Sequence, residues 1–481
     1  MDTRVNKEVI KPLASPSLKS GITTCKTIPR SHVSPVDNKL LGSNQLKALL
    51  DELQSPFDIS KDYSLSPYVH WKENSISSIH RWLRYREAYS PELIDKLGLT
   101  GKILDPFSGC GSIMVGAAQR GLISTGVDIN PLSTFSTKVK LTKLTSKELN
   151  EVERFKNSLE SIVNESPMHA LPELSIAEKV FEPEILEIIL KTKSAIKNTQ
   201  SKNKKVGDFL HLAWLESLEK VGSYYKEGNG IKYRNKQRRK GKYIEKIDGE
   251  WQLKRFGPDQ KSFAIDTIKK QIDIMLSDTN EWSSGLWSQQ RVINGSALEL
   301  ETLIPEKVQF DSIIFSPPYA NRFDYFEAFK VELWFGGFVE SYNDLNKLRK
   351  KSIRSHLAAE YRTNNPIFEE LESLITMMDK NTSSWRMGVP DLLRGYFQDM
   401  HTVLAQCRKL APKGRTHVVV GNSAFAGVII PTDVLTAMIG LKSGFNKVKI
   451  IESRHLTVSP QQRAILKGFE DYMRESVVIF E

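Results

Sequence analysis

Cysteine is scarce: the 481 residues hold three, Cys25, Cys110 and Cys407, with no paired spacing. That excludes a zinc-finger ligand pattern and a disulfide framework and fits a reducing compartment. No apolar run approaches the roughly 20 residues that a membrane-spanning helix needs. The first residues carry no secretory apolar core, so the expected location is the cytoplasm, with no membrane partner. Neither a His-Glu-His pattern nor a carboxylate cluster suggests a metal, and there is no internal repeat. Positive charge, by contrast, is plentiful. Lys and Arg number 68 against 57 Asp and Glu, a net charge of +11. Such a balance favours a polyanionic partner, most often nucleic acid, although a lysine-rich soluble surface has the same composition. The length suggests two or three structural units, and 40% hydrophobic residues suffice for a sizeable core.

Residues 1–42 are rich in Ser, Pro, Lys and Thr, as in a mobile tail. From Leu46 the pattern is helical and then aromatic (Tyr68, Trp71, His80, Trp82, Tyr85, Tyr89). Lys102 to Phe107 reads as a short strand, Ser112 to Arg120 as a helix ending at Gly121, and Ile123 to Ile129 as a second strand. Strand, glycine turn, helix and strand begin a doubly wound α/β sheet. Residues 131–290 break that rhythm with charged helical stretches, Glu182 to Lys197 and Val206 to Glu219 among them. The rhythm resumes at Arg291 to Gly295 and continues in strands at Phe310 to Phe315, His417 to Val420, Val448 to Glu452 and Ser476 to Phe480, with a helix over Tyr396 to Leu410. Residues 340–395 look charged and irregular. The expected organisation is one catalytic domain from 43–130 and 291–481, interrupted by a mainly helical insertion over 131–290.

Two motifs carry chemistry. Asp105-Pro106-Phe107-Ser108-Gly109-Cys110-Gly111-Ser112 joins a strand to a helix. Gly109 and Gly111 let the backbone approach a ligand, and the turn presents free N–H groups at a helix N-terminus. Asp105 can accept from an ammonium group, and Asp128, at the end of the next strand, from both hydroxyls of a ribose. A dinucleotide fingerprint would carry a third glycine that is missing here. The second motif, Ser316-Pro317-Pro318-Tyr319, follows an apolar strand. The motif resembles the one by which the DNA amino-methyltransferases hold a flipped target base, and the chemistry explains the residue types: an exocyclic base amine is a poor nucleophile because its lone pair is delocalised into the ring. The Ser316 hydroxyl and the Pro317 carbonyl can accept from it and orient it, the prolines stiffen the loop, and Tyr319 offers a face on which an extruded base can stack.

These residues resemble the DNA amino-methyltransferases, the family that makes N4-methylcytosine or N6-methyladenine. The segment from Asp105 to Ser112 looks like their first motif and Asp128 like their ribose-binding acid. His80 to Pro91 looks like the segment that closes over the methionine end of the cofactor. Asn294-Gly295-Ser296-Ala297 is similar to a third motif, with Ser296 where an acid often meets the adenine amine. The stretch Asn321 to Phe326, Gly421-Asn422-Ser423, Pro431-Thr432-Asp433 and Arg474-Glu475-Ser476 resemble a subgroup of bacterial modification enzymes.

The resemblance implies a Rossmann-like, seven-stranded sheet with one reversed strand near the C-terminus, S-adenosyl-L-methionine as cofactor, and double-stranded DNA as substrate. It also implies a cognate restriction endonuclease as partner. Asp105, Phe107, Gly109, Gly111, Asp128 and Ser296 would bind the cofactor, and Ser316, Pro317, Pro318 and Tyr319 would act on the base. Serine at the first position of the second motif is the family's usual choice for cytosine N4. N6-adenine and RNA-base methylation are the alternative readings. No Pro-Cys pair occurs, so covalent carbon-5 chemistry has no candidate nucleophile.

Two regions suit DNA contact. Residues 224–256 interleave Lys232, Arg234, Lys236, Arg238, Arg239, Lys240 and Lys242 with Tyr224, Tyr225, Tyr233, Tyr243 and Trp251. Residues 344–395 hold Arg349, Lys350, Lys351, Arg354 and His356. The insertion 131–290 is the favoured recognition element, although a solvated charged loop has the same pattern.

Overall fold

The computed structural model describes residues 35–70, 76–85, 88–227, 230–234, 243–247, 249–356, 369–457 and 462–481. The chain divides into two units, Met1–Gln45 and Leu46–Glu481. The described part of the first, residues 35–45, is helical, including positions 35–42 of the expected tail. All that follows concerns the second.

Its centre is an eight-stranded sheet: β1 (Ile59–Lys61), β2 (Lys102–Asp105), β3 (Ile123–Asp128), β4 (Arg291–Asn294), β5 (Ser312–Phe315), β6 (Arg415–Gly421), β7 (Val448–His455) and β8 (Arg474–Phe480). Across the sheet the order is β1-β7-β8-β6-β5-β2-β3-β4. Strands β4, β3, β2, β5 and β6 run parallel, and β8 is antiparallel to both β6 and β7. This is a Rossmann-like α/β fold with one reversed strand, as expected. The count differs from the seven implied by resemblance because Ile59–Lys61 pairs in parallel with Ile450 to Glu452 at the edge. Three residues are too few to show an alternating pattern.

Inner strands of a sheet covered on both faces are buried on both, so they read as continuous apolar runs. The two faces separate with period two. Ile103, Ile314, Val419 and Val477 pack with Leu93, Ile113 and Ala117 on one side. Leu104, Ile313, Phe315, Val418, Val420 and Val478 pack with Phe397, Leu404 and Leu435 on the other. Each such side chain contributes about 1.5–3 kcal/mol by burial.

The insertion is helical as expected, with long helices over Pro183–Lys202, Lys204–Val221 and Gln260–Asp278. A reciprocal Thr145–Glu148 capping box starts another at Ser146. It also contains two hairpins that the sequence did not reveal, Tyr224–Glu227 with Gly230–Tyr233 and Ile244–Ile247 with Glu250–Leu253. Its core is continuous with the sheet domain, because Leu132, Phe209, Trp214 and Ile272 join one cluster with Trp82, Met114, Phe329 and Phe335. The stretch that looked irregular holds helices Tyr342–Lys351, Glu369–Thr376 and Ser383–Arg386, and the long helix begins early, spanning Val389–Leu410. Short helices with few apolar turns give little periodicity to read.

Candidate active site

Strands β2 and β5 are sheet neighbours although far apart in sequence. Their C-terminal ends therefore deliver the two motifs to one place, the edge where ligands bind in open α/β sheets. A cavity of about 450 Å³ opens there, lined by Asp105, Phe107, Gly109, Asp128, Ser296 and all four residues of Ser316 to Tyr319.

On one side lies the glycine turn. Asp105 accepts from the Tyr89 hydroxyl at 2.8 Å and from the Phe107 N–H at 3.0 Å. Asp128 accepts from the Gly109 N–H and the Asn130 N–H, both at 2.8 Å. Burial raises the Asp105 carboxyl to about 7 and the Asp128 carboxyl to about 6, against the opposing pull of those hydrogen bonds. Neither carboxylate has a cationic partner among the described residues. The Ser108 hydroxyl and the Asn130 amide nitrogen are also buried without a hydrogen-bond partner, and both residues line the cavity. A cationic ligand rich in hydroxyl and polar groups fits this set: it would neutralise the two acids and satisfy the orphaned atoms.

Gly109 and Gly111 have φ of 49° and 82°. A Cβ on Gly111 would come within 2.5 Å of Thr137, and one on Gly109 within 3.1 Å of the Tyr85 ring. Gly111 does not itself line the cavity. It stands at the N-cap of the helix Ser112–Gln119. The turn is held from beneath by Lys140, whose buried ammonium donates to the Cys110 carbonyl at 3.0 Å and the His80 carbonyl at 3.3 Å. Thr137 donates to the Gly109 carbonyl at 3.2 Å. Both lie one helical turn apart on Pro131–Leu141, which carries two lysines, Lys138 and the buried Lys140. Ser296 lines the cavity, but its hydroxyl donates to the Lys351 carbonyl at 2.6 Å and accepts from the Leu298 N–H at 3.2 Å. The helical turn Ala297–Glu299 and the end of the helix Tyr342–Lys351 thus engage this side chain, which was expected among the cofactor-binding residues.

On the other side, Pro317 is buried and Ser316 half-buried. The Ser316 hydroxyl donates toward the Tyr319 hydroxyl at 3.4 Å, which donates to Glu475 at 2.6 Å. Glu475 is buried and pairs with Arg454. The Tyr319 ring lies against Gly421, where a Cβ would come within 2.9 Å. Burial and the Glu475 charge hold the Tyr319 hydroxyl well above the usual phenol range, hence protonated. The sequence flagged Arg474-Glu475-Ser476 as a block without a role for its glutamate, because a residue that acts through a distant tyrosine shows no local pattern.

The expected DNA contacts divide. Lys236, Arg238, Arg239, Lys240 and Lys242 lie outside the described residues. Arg234 is half-buried, donates to the Tyr224 carbonyl at 2.7 Å and stacks on Tyr225. Tyr224 is core and Trp251 is 64% exposed. Arg349 pairs with Asp324 and Glu327, and Arg354 is buried on Asp399. These three arginines are structural, which composition alone does not distinguish from phosphate contacts.

No family model matches the chain. It is similar to the type II methyltransferase M.BsoBI of Geobacillus stearothermophilus, 27% identical over 453 residues that cover 86% of this chain and 87% of that protein. It is also similar to the type II methyltransferases M.AvaI of Nostoc sp. and of Anabaena variabilis, each 25% identical over 421 residues, 80% of this chain and 82% of theirs.

Proposed function

We propose that this protein is a DNA methyltransferase of a restriction-modification system that takes its methyl group from S-adenosyl-L-methionine and places it on the N4 amine of an extruded cytosine. The observation that carries the reading is the meeting of two motifs in one cavity: an unpaired carboxylate couple on a glycine turn faces a stiff Ser-Pro-Pro-Tyr loop. The similarity to type II methyltransferases over most of both chains supports the same class.

S-adenosylmethionine, when bound, supplies an electrophilic methyl group. Asp105 and Asp128 would hold its cationic and hydroxyl-bearing ends, with Phe107, Gly109 and the Ser296 region along its length. The chain's own work is then orientation. The Ser316 hydroxyl donates toward the Tyr319 hydroxyl and the Tyr319 hydroxyl to Glu475, which also lines the cavity, and the Ser316 oxygen lone pairs are left to accept from a base amine. With the Pro317 carbonyl as second acceptor, the amine is aimed and its lone pair drawn out of conjugation. Tyr319, fixed at its hydroxyl and against Gly421, is a rigid face for stacking. Serine at 316 supports cytosine over adenine because serine is the usual choice for cytosine N4 at this position of the family that the motif resembles.

Incubation with labelled S-adenosylmethionine and mixed-sequence DNA or RNA tests this function. Label in DNA supports it; label in RNA alone, or in neither, overturns it. Ser316→Ala should remove most turnover and leave cofactor affinity unchanged; an equal loss of both would assign the serine to the cofactor instead.

A further inference from the structure

The cavity contains one more chemically competent side chain that the reaction described above leaves unused. His356 lines it, is 4% exposed, and has no hydrogen-bond partner for either ring nitrogen among the described residues. An imidazole with both nitrogens buried and unsatisfied is costly to the folded chain, and one facing a ligand cavity has an evident means of relief. His80 is equally orphaned but does not line the cavity.

The backbone that carries His356 is clamped. Arg354, two residues earlier, forms a fork on Asp399 of the long helix at 2.6 and 2.9 Å, and its own N–H donates to the same carboxylate at 2.8 Å. The Ser355 carbonyl accepts from the Arg322 N–H at 3.1 Å. Arg322 lies three residues beyond Tyr319 and has a φ of 69°, a strained value for a residue with a side chain. The segment that carries His356 is thus hydrogen-bonded to the stretch that follows Tyr319, which places the imidazole toward the base side of the cavity. Burial depresses its basicity, only partly offset by the nearby Asp324. A neutral imidazole presents one donor and one acceptor. The two nitrogens point away from each other, so one of them can meet an extruded base, accepting from its exocyclic amine or donating to its ring nitrogen; thymine carries neither that amine nor that unprotonated ring nitrogen.

We propose that His356 is a specificity-determining residue that hydrogen-bonds the extruded base in the cavity shared with Ser316 and Tyr319. The inference rests on the DNA-methyltransferase reading. Its test uses the full chain and mixed-sequence unmethylated DNA, with His356→Ala and His356→Asn beside the wild type. For His356→Ala the expected result is a fall in kcat/KM for DNA of about ten- to a hundred-fold. Affinity for S-adenosylmethionine should stay within about twofold and the melting temperature should be unchanged or higher, as expected when an unsatisfied buried polar group is removed. His356→Asn, which keeps a donor and an acceptor, should recover part of the loss. Unchanged kcat/KM in His356→Ala overturns the proposal alone. A matching loss of cofactor affinity also overturns it, by moving the histidine to the cofactor side. Absence of methyl transfer by the wild type removes the parent reading, and this one with it.

Discussion

At the scale of single residues, the site is governed by burial of acids that have no counter-charge among the described residues. The Asp105 and Asp128 carboxyls stand at about 7 and about 6, above the ordinary carboxylate range, because burial penalises their charge. Folded-state values above the unfolded ones stabilise the fold in acid, and that contribution is lost as pH rises from about 4 through both values. A cationic ligand favours the ionised acids, so the thermal stabilisation by S-adenosylmethionine should grow between about pH 5 and about pH 8. Differential scanning at both pH values checks this, and a flat response would separate the acids from the ligand. Asp128→Ala should weaken cofactor binding by about 1.5–3 kcal/mol, the range for hydrogen bonds to a charged acceptor, as read by calorimetry. Glu475→Gln weakens the anchor of the Tyr319 hydroxyl and leaves Arg454 without its charge partner. It should lower kcat while cofactor affinity is maintained; unchanged kcat would reduce Glu475 to packing.

At the scale of elements, the parallel strands were legible because burial on both faces writes itself as unbroken apolar runs such as Ile313-Ile314-Phe315 and Val418-Val419-Val420. The glycine turn was legible because its conformation demands particular residues: Gly111, at φ of 82° with Thr137 in the space of a Cβ, admits little else. Gly111→Ala should therefore cost about 1–2 kcal/mol from the backbone alone, more with the clash, and a chemical-denaturation midpoint equal to wild type would contradict this. What stayed hidden was of two kinds. The edge strand Ile59–Lys61 and the two hairpins of the insertion are too short for periodicity to show. The Lys140 clamp and the link from Tyr319 to Glu475 join residues distant in sequence, and no local pattern marks a long-range hydrogen bond. Ser296 was legible as a motif position but not as a side chain committed to Lys351 and Leu298.

At the scale of the whole molecule, the insertion and the sheet share one hydrophobic cluster, so DNA contacts made by the insertion would be held rigidly relative to the cavity. The net charge of +11 is the long-range term. Neutralising Lys232, Lys236, Arg238, Arg239, Lys240 and Lys242, while retaining the structural Arg234, should lower DNA affinity. It should also flatten the slope of log affinity against log salt by about 0.9 for each phosphate that is no longer neutralised. Cofactor affinity should not move. Persistence of both slope and affinity would transfer DNA binding to other surfaces. No helix among the described residues is long and apolar enough to cross a membrane.

The measurement that bears most directly on the proposed chemistry is nucleoside analysis by mass of DNA treated with the protein and S-adenosylmethionine. The resemblance carried by serine at position 316, whose hydroxyl donates toward Tyr319, predicts N4-methylcytosine. A methyl group on adenine alone would contradict the assignment of the base, and DNA returned without any methylated amine would contradict the function itself.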